Sequence, residues 1–255
     1  MIDQIDIFQT LFLDIETVSE QANFEDLSED FQELWMLKCR QLIKQYDEPI
    51  DQATAANLYV EKAAIFAEFG KIVCISVGIV HRDQQGKLIV RLKSFADESE
   101  KTLLQQFLQL IEQHYGDINK HCICGHNIKE FDIPYICRRM VVNQLPFPSP
   151  LNLSAKRPWE TKHLIDTLEL WKFGDYKHYT SLNLLATVLN FPSPKGEMDG
   201  SQVGKVFWRE SNLDKIAIYC EKDVLATIQL FLRYKRLPIL VRRTGHFYFT
   251  KIIPR

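Results

Sequence analysis

Two carboxylates flank a single isoleucine in LFLDIETV, residues 11–18: Asp14 and Glu16. On a β-strand, whose side chains alternate with a period of two, Phe12, Asp14 and Glu16 share one face and Leu11, Leu13 and Ile15 the other. The two carboxylates then stand roughly 7 Å apart at the end of a strand that reads as buried. Like charges beside low-dielectric walls resist ionisation unless something positive lies between them. The pair therefore asks for a cation.

Two further stretches offer partners. In CICGHNIKEFDIPYICRRM, residues 122–140, a short strand meets Gly125, then a polar elbow of His126 and Asn127, then Phe131 and Asp132 ahead of Pro134. Asp132 has a structural alternative as a helix N-cap, because proline is tolerated in a first helical turn. Asn127 has one as a turn residue that bonds its own backbone. In SNLDKIAIYCEKDVLATIQLFLRY, residues 211–234, Ser211 or Asn212 reads as the cap of a long helix. Leu213, Ile216, Ala217, Cys220, Val224 and Phe231 form its apolar stripe. Tyr219 and Asp223, four apart, stack at the shoulder of that stripe; the alternative is a core-edge tyrosine beside an aspartate paired with Lys215 or Lys222.

Taken together, Asp14, Glu16, Asp132 and Asp223 are oxygen ligands, which suit a hard cation such as Mg²⁺ or Mn²⁺. Two such ions about 3.5–4 Å apart are a common device for in-line displacement at phosphorus. HCICGH, residues 121–126, also offers His121, Cys122, Cys124 and His126, but its C-x-C spacing argues against structural zinc.

The elements that must position these residues follow from hydrophobic periodicity. A strand is expected at about 7–14, two or more helices between Asn23 and Phe69, and a hairpin of KIVCISVGIV and KLIVRLKSF across HRDQQG. Next come a helix from Ser99 to Tyr115, the strand CICG, a helix from Asp132, and TKHLIDTLEL as a strand running into a helix. Helices near 180–190, 200–209 and 212–233 complete the pattern. That order predicts one α/β domain with a mixed sheet. A chain of 255 residues, 46% hydrophobic and 25% charged, has room for a sizeable core. The net charge of −2 excludes a duplex binder that relies on a global positive field. The six cysteines read as reduced core thiols. The N-terminus has no signal-peptide core and no apolar run approaches the length of about 18 residues needed to span a bilayer, so the expected compartment is the cytoplasm.

DIE at 14–16, NIKEFD at 127–132 and YCEKD at 219–223 resemble, in order, the three motifs of the DEDDy 3′–5′ exonucleases. The chain as a whole resembles the stand-alone exonucleases related to the proofreading domain of family B DNA polymerases. The resemblance implies a ribonuclease H-like fold, a mixed five-stranded sheet flanked by helices. It implies that Asp14, Glu16 and Asp223 hold the metal that activates water, that Asp14 and Asp132 hold a second, and that Tyr219 positions the water. Asn127, Phe131 and Thr17 are then substrate contacts, Thr17 through its backbone N–H. KGEMDG, residues 195–200, resembles a Lys-x3-Asp-Gly element of the stand-alone family, with a helix cap at Asp199 as the alternative.

The expected activity is metal-dependent hydrolysis from the 3′ end of single-stranded nucleic acid, DNA favoured over RNA. The alternatives are a ribonuclease D-like RNA exonuclease and a non-catalytic nucleic-acid-binding module. A single exonuclease domain over 1–255 is expected, with a helical insertion at about 20–70 and a basic extension at about 234–255 that grips phosphates, stays solvated or meets a partner. With no room for a polymerase domain before Arg255, any polymerase or repair partner acts in trans.

Overall fold

The computed structural model describes residues 2–86, 88–175, 179–193, 198–243 and 246–249, with side chains described as far as residue 240. Strand β1, Thr10–Ser19, leads into an insertion carrying α1, Glu29–Ile43, and α2, Gln52–Lys62. The hairpin β2, Gly70–Arg82, and β3, Leu88–Ala96, precedes α3, Glu100–His114; β4, Cys122–Gly125, precedes α4, Asp132–Val142. Then come β5, Leu164–Asp166, α5, Thr167–Lys172, α6, Leu182–Val188, α7, Val203–Glu210, α8, Leu213–Tyr234, and the strands β6, Leu240–Arg243, and β7, His246–Phe249.

The sheet order is β5-β4-β1-β2-β3-β7-β6. β1 runs parallel to β4 and antiparallel to β2, and β4 runs parallel to β5. The first five strands are the mixed α/β sheet flanked by helices that a ribonuclease H-like exonuclease requires. The final hairpin extends it at the β3 edge through Ile89 and Tyr248. The period-two reading of β1 holds: Leu11, Leu13 and Ile15 pack with Leu103, Phe107 and Ile136 on the α3–α4 face. Phe12 faces α8 instead, its ring 5.4 Å from that of Phe231. A Cβ on Gly78 would lie 2.8 Å from Val224 Cγ1 and 3.0 Å from Ile228 Cδ1, so the absence of a side chain lets α8 lie this close to β2.

The insertion forms a small core of its own, with Trp35 edge-on to Tyr59 and Phe69. It is fastened to β1 by the Thr17 hydroxyl and to α4 by the Tyr135 hydroxyl, both donating to the Ala64 carbonyl at 2.8 and 2.9 Å, and again to α4 by Arg139 donating to Ala67. Arg139 is buried and also forks onto Glu100, which accepts from the Ile72 N–H and from Asn143. This network ties α4, α3, β2 and the insertion together.

Several expectations are corrected. Residues 7–9 are a 3₁₀ turn capped by Asp6, so β1 starts at Thr10 and continues to Ser19. Of the two candidate caps of α8, Asn212 accepts from the Lys215 N–H, while Ser211 is a left-handed residue ending α7. From Ala226 to Leu232 every residue of α8 is buried, because α6 closes on the back of the helix at Ala226 and Leu230. The segment read as a basic extension includes the β6–β7 hairpin. Arg233, Lys235 and Arg236 are bound within the chain, to Asn190, to the Ile2 and Ile5 carbonyls, and to Asp3. Lys251 and Arg255 lie outside the described residues.

Candidate active site

Asp14 and Glu16 leave β1 on the face that meets α8, opposite Ser76 and Cys74 of β2. The β1–β2 register shifts between Glu16 and Thr17, a bulge of the kind that re-aims side chains beside active sites. Ligand atoms of Asp14, Glu16 and Cys220 all lie within 4.8 Å of one another, closer than the strand repeat suggests. The Cys220 thiol, one residue past Tyr219 on α8, donates to the Asp14 carbonyl at 3.4 Å and to its carboxylate at 3.5 Å.

Asp132 stands at the first position of α4, after the cap residue Phe131, and its carboxylate accepts from the Ile15 N–H at 3.2 Å. It therefore reaches β1 rather than capping its own helix. Asp223 faces the same cluster from α8, with the Tyr219 hydroxyl beside it. Asp132 and Asp223 are outside the 4.8 Å group, yet near enough for their charges to act on Asp14 and Glu16.

The electrostatics follow from burial. Loss of solvation, then the charge of Asp223, pushes Asp14 and Glu16 well above the carboxylate range. Burial likewise pushes Asp132 up to about 7 and Asp223 up to about 6. Tyr219 is raised by burial and by Asp223, Glu16 and Asp14, so its hydroxyl stays protonated. No ion pair among the described residues reaches any of the four carboxylates. A converging set of oxygen donors, held in no ion pair and offset only by the Lys222 charge near Asp223, fits a hard divalent cation.

The remaining expected residues take mixed positions. Asn127 is left-handed, φ 65°, as a turn residue would be, but its Oδ1 is buried with no hydrogen-bond partner. Phe131 is half-buried against Tyr135, ring centroids 5.5 Å apart. Thr17 sits at the bulge with its hydroxyl committed to Ala64. Asp199 caps the turn at 200–202, and Lys195 lies outside the described residues. Of the zinc candidates, His126 has both ring nitrogens engaged, with Thr167 Oγ1 and the Thr180 carbonyl, and the His121 ring packs against Tyr115.

Three residues escaped the sequence reading. Asp166 is buried and accepts from the N–H groups of Asn127, Lys129 and Leu168 at 2.8–3.1 Å, so it holds the elbow that delivers Asp132. An aspartate between a strand and a helix in LIDTLEL was the available signal. Cys220 lies in the apolar stripe of α8, and its contact with Asp14 has no local signal. Tyr179 packs edge-on to His126, ring centroids 6.3 Å apart, and is pushed up by burial, then by Asp132 and Asp14; no local pattern marks it.

An α/β fold brings carboxylates together from a strand end, a loop–helix junction and a helix shoulder, a donor set suited to divalent cations. The chain belongs to the family described as predicted 3′–5′ exonucleases related to the exonuclease domain of PolB, whose model matches residues 65–246. The match includes Asn127–Asp132 and Tyr219–Asp223, while Asp14 and Glu16 precede it. Exonuclease membership implies dependence on divalent metal in general. No curated protein matches the chain. Among the described residues no helix is long and apolar enough to cross a membrane.

Proposed function

We propose that this exonuclease hydrolyses phosphodiester bonds from the 3′ end of single-stranded nucleic acid, DNA in preference to RNA, with two Mg²⁺ or Mn²⁺ ions. The observation that carries the reading is the convergence of Asp14, Glu16, Asp132 and Asp223 beside Tyr219, with no ion pair to any of the four among the described residues. Asp14, Glu16 and Asp223 would hold one cation, and Asp14 with Asp132 the other. Cations bound there would supply Lewis-acid chemistry, acidifying the attacking water and neutralising charge on the leaving 3′ oxygen.

The chain's own residues do the positioning. The Ile15 N–H and the Cys220 thiol fix the Asp132 and Asp14 carboxylates. Tyr219, held protonated, orients the water as a hydrogen-bonding group, since its raised pKa makes it a poor base. Asn127, through its unpartnered Oδ1, and Phe131 would contact the terminal nucleotides, and the Thr17 N–H the 3′ terminus. The chain acts as one exonuclease domain, in the cytoplasm.

The test is digestion of matched DNA and RNA single strands labelled at either end, with Mg²⁺ or Mn²⁺. Nucleoside 5′-monophosphates should leave the 3′ end first, faster from DNA. Faster RNA digestion would reverse the substrate preference, and no digestion with either metal would overturn the reading.

A further inference from the structure

A cleft of about 540 Å³ opens on the α3 face of the sheet near the start of β1, away from the face on which Asp14 and Glu16 meet α8. Such a volume is in the range that holds small ligands. Leu11, Val77 and Ile79 form an apolar floor. Tyr115 and His121 line it as an edge-to-face pair, ring centroids 5.3 Å apart. Across β3, Arg91 and Lys93 stand two residues apart on the same face, opposite Ile79 and Val77 in the ladder.

The charged side chains that line this cleft have one sign, although Asp117 lies near its His121 wall. No carboxylate lines it, and Arg91 and Lys93 are exposed and join no ion pair among the described residues. The Lys93 ammonium rests 4.5 Å from the Phe95 ring centroid. The Nδ1 of His121, a wall residue, is buried behind the cleft surface without a hydrogen-bond partner. Nothing in the carboxylate site uses any of these groups.

We infer that this cleft is a second site, binding a nucleoside monophosphate. An inorganic anion would leave the apolar floor and the aromatic wall without a partner, and a neutral apolar ligand would leave the exposed Arg91 and Lys93 charges unused. A base over Leu11, Val77 and Ile79 beside Tyr115, joined to a phosphate on Arg91 and Lys93, uses both. The phosphate belongs on the β3 side, because α3 ends at His114 and presents its negative, carbonyl end to the opposite wall.

Calorimetric titration of the full chain in EDTA tests this with adenosine 5′-monophosphate, adenosine and inorganic phosphate as probes. Adenosine 5′-monophosphate should bind with a Kd below about 1 mM, and the other two at least about tenfold more weakly. Arg91→Ala/Lys93→Ala should weaken nucleotide binding about tenfold or more, and Lys93→Gln alone in the same direction, while Asp14→Ala leaves it unchanged. Both β3 side chains are exposed, and an unchanged melting temperature checks that the variants fold. No binding at several millimolar, equal affinity for phosphate alone, or binding indifferent to the β3 variants would overturn the proposal. Because EDTA removes the cations and Asp14→Ala disables the carboxylate site, failure here is separate from failure of the exonuclease reading.

Discussion

Asp132 and Asp223 carry protons at pH values where exposed aspartates have lost theirs, and that gives the metal-free protein a definite pH response. Burial raises them to about 7 and about 6 in the folded chain, against about 3.9 when unfolded. Between those limits the folded state binds more protons, so stability falls as pH rises from about 4 through about 7. A cation competes with those protons and relieves the repulsion left when they depart. Thermal melts should therefore show a larger Mn²⁺-induced rise in Tm at pH 8 than at pH 5.5; an equal or reversed effect would mean that the carboxylates are not the ligands. Tyr219 makes a different prediction. If it orients water without holding metal, Tyr219→Phe should slow strand digestion about 10²-fold while calorimetric Mn²⁺ affinity changes little. Loss of both together would make it part of the cation site.

The elements hold these residues through contacts of very unequal visibility. The alternation in β1 was legible because each face of the strand packs on a different layer, so its period-two pattern has two apolar readers. The first half of α8 was legible for the same kind of reason, one face on the sheet and one towards solvent. Its second half was not, because burial from Ala226 to Leu232 comes from α6, and a stripe of period 3.6 cannot announce a second layer. Asp166 was legible as a residue at a strand–helix junction, but its bonds to the elbow depend on β5 lying beside β4. The Arg139–Glu100 pair was likewise hidden in helices that read as ordinary. Removing one partner leaves the other charged and buried, so Arg139→Met should cost about 3–5 kcal/mol in urea unfolding. A cost below about 1 kcal/mol would mean that the network does not fasten α4, and with it Asp132, to the sheet.

At the scale of the whole molecule, the site exists because distant segments converge: β1 precedes the insertion, and its partners lie on α4 and α8, past the central hairpin. The family model matches residues 65–246 and so contains Asp132 and Asp223 but not Asp14 or Glu16. Only the fold joins the two halves, through the β1–β2 ladder, the Ile15 N–H on Asp132 and the Cys220 thiol on Asp14. The sequence order of the motifs made that convergence an expectation; the C-terminal hairpin and the internal bonds of Arg233, Lys235 and Arg236 were obscured by a run of basic residues that resembled a tail. Asp14 is accordingly the sharpest probe of the account. The rate of 3′-end digestion of a 5′-labelled single-stranded DNA should be measured with Mn²⁺ for the wild-type chain and for Asp14→Ala, with circular dichroism to verify the fold. The account predicts a loss on the order of 10³-fold with the fold retained; a folded Asp14→Ala protein that digests DNA at the wild-type rate would contradict it.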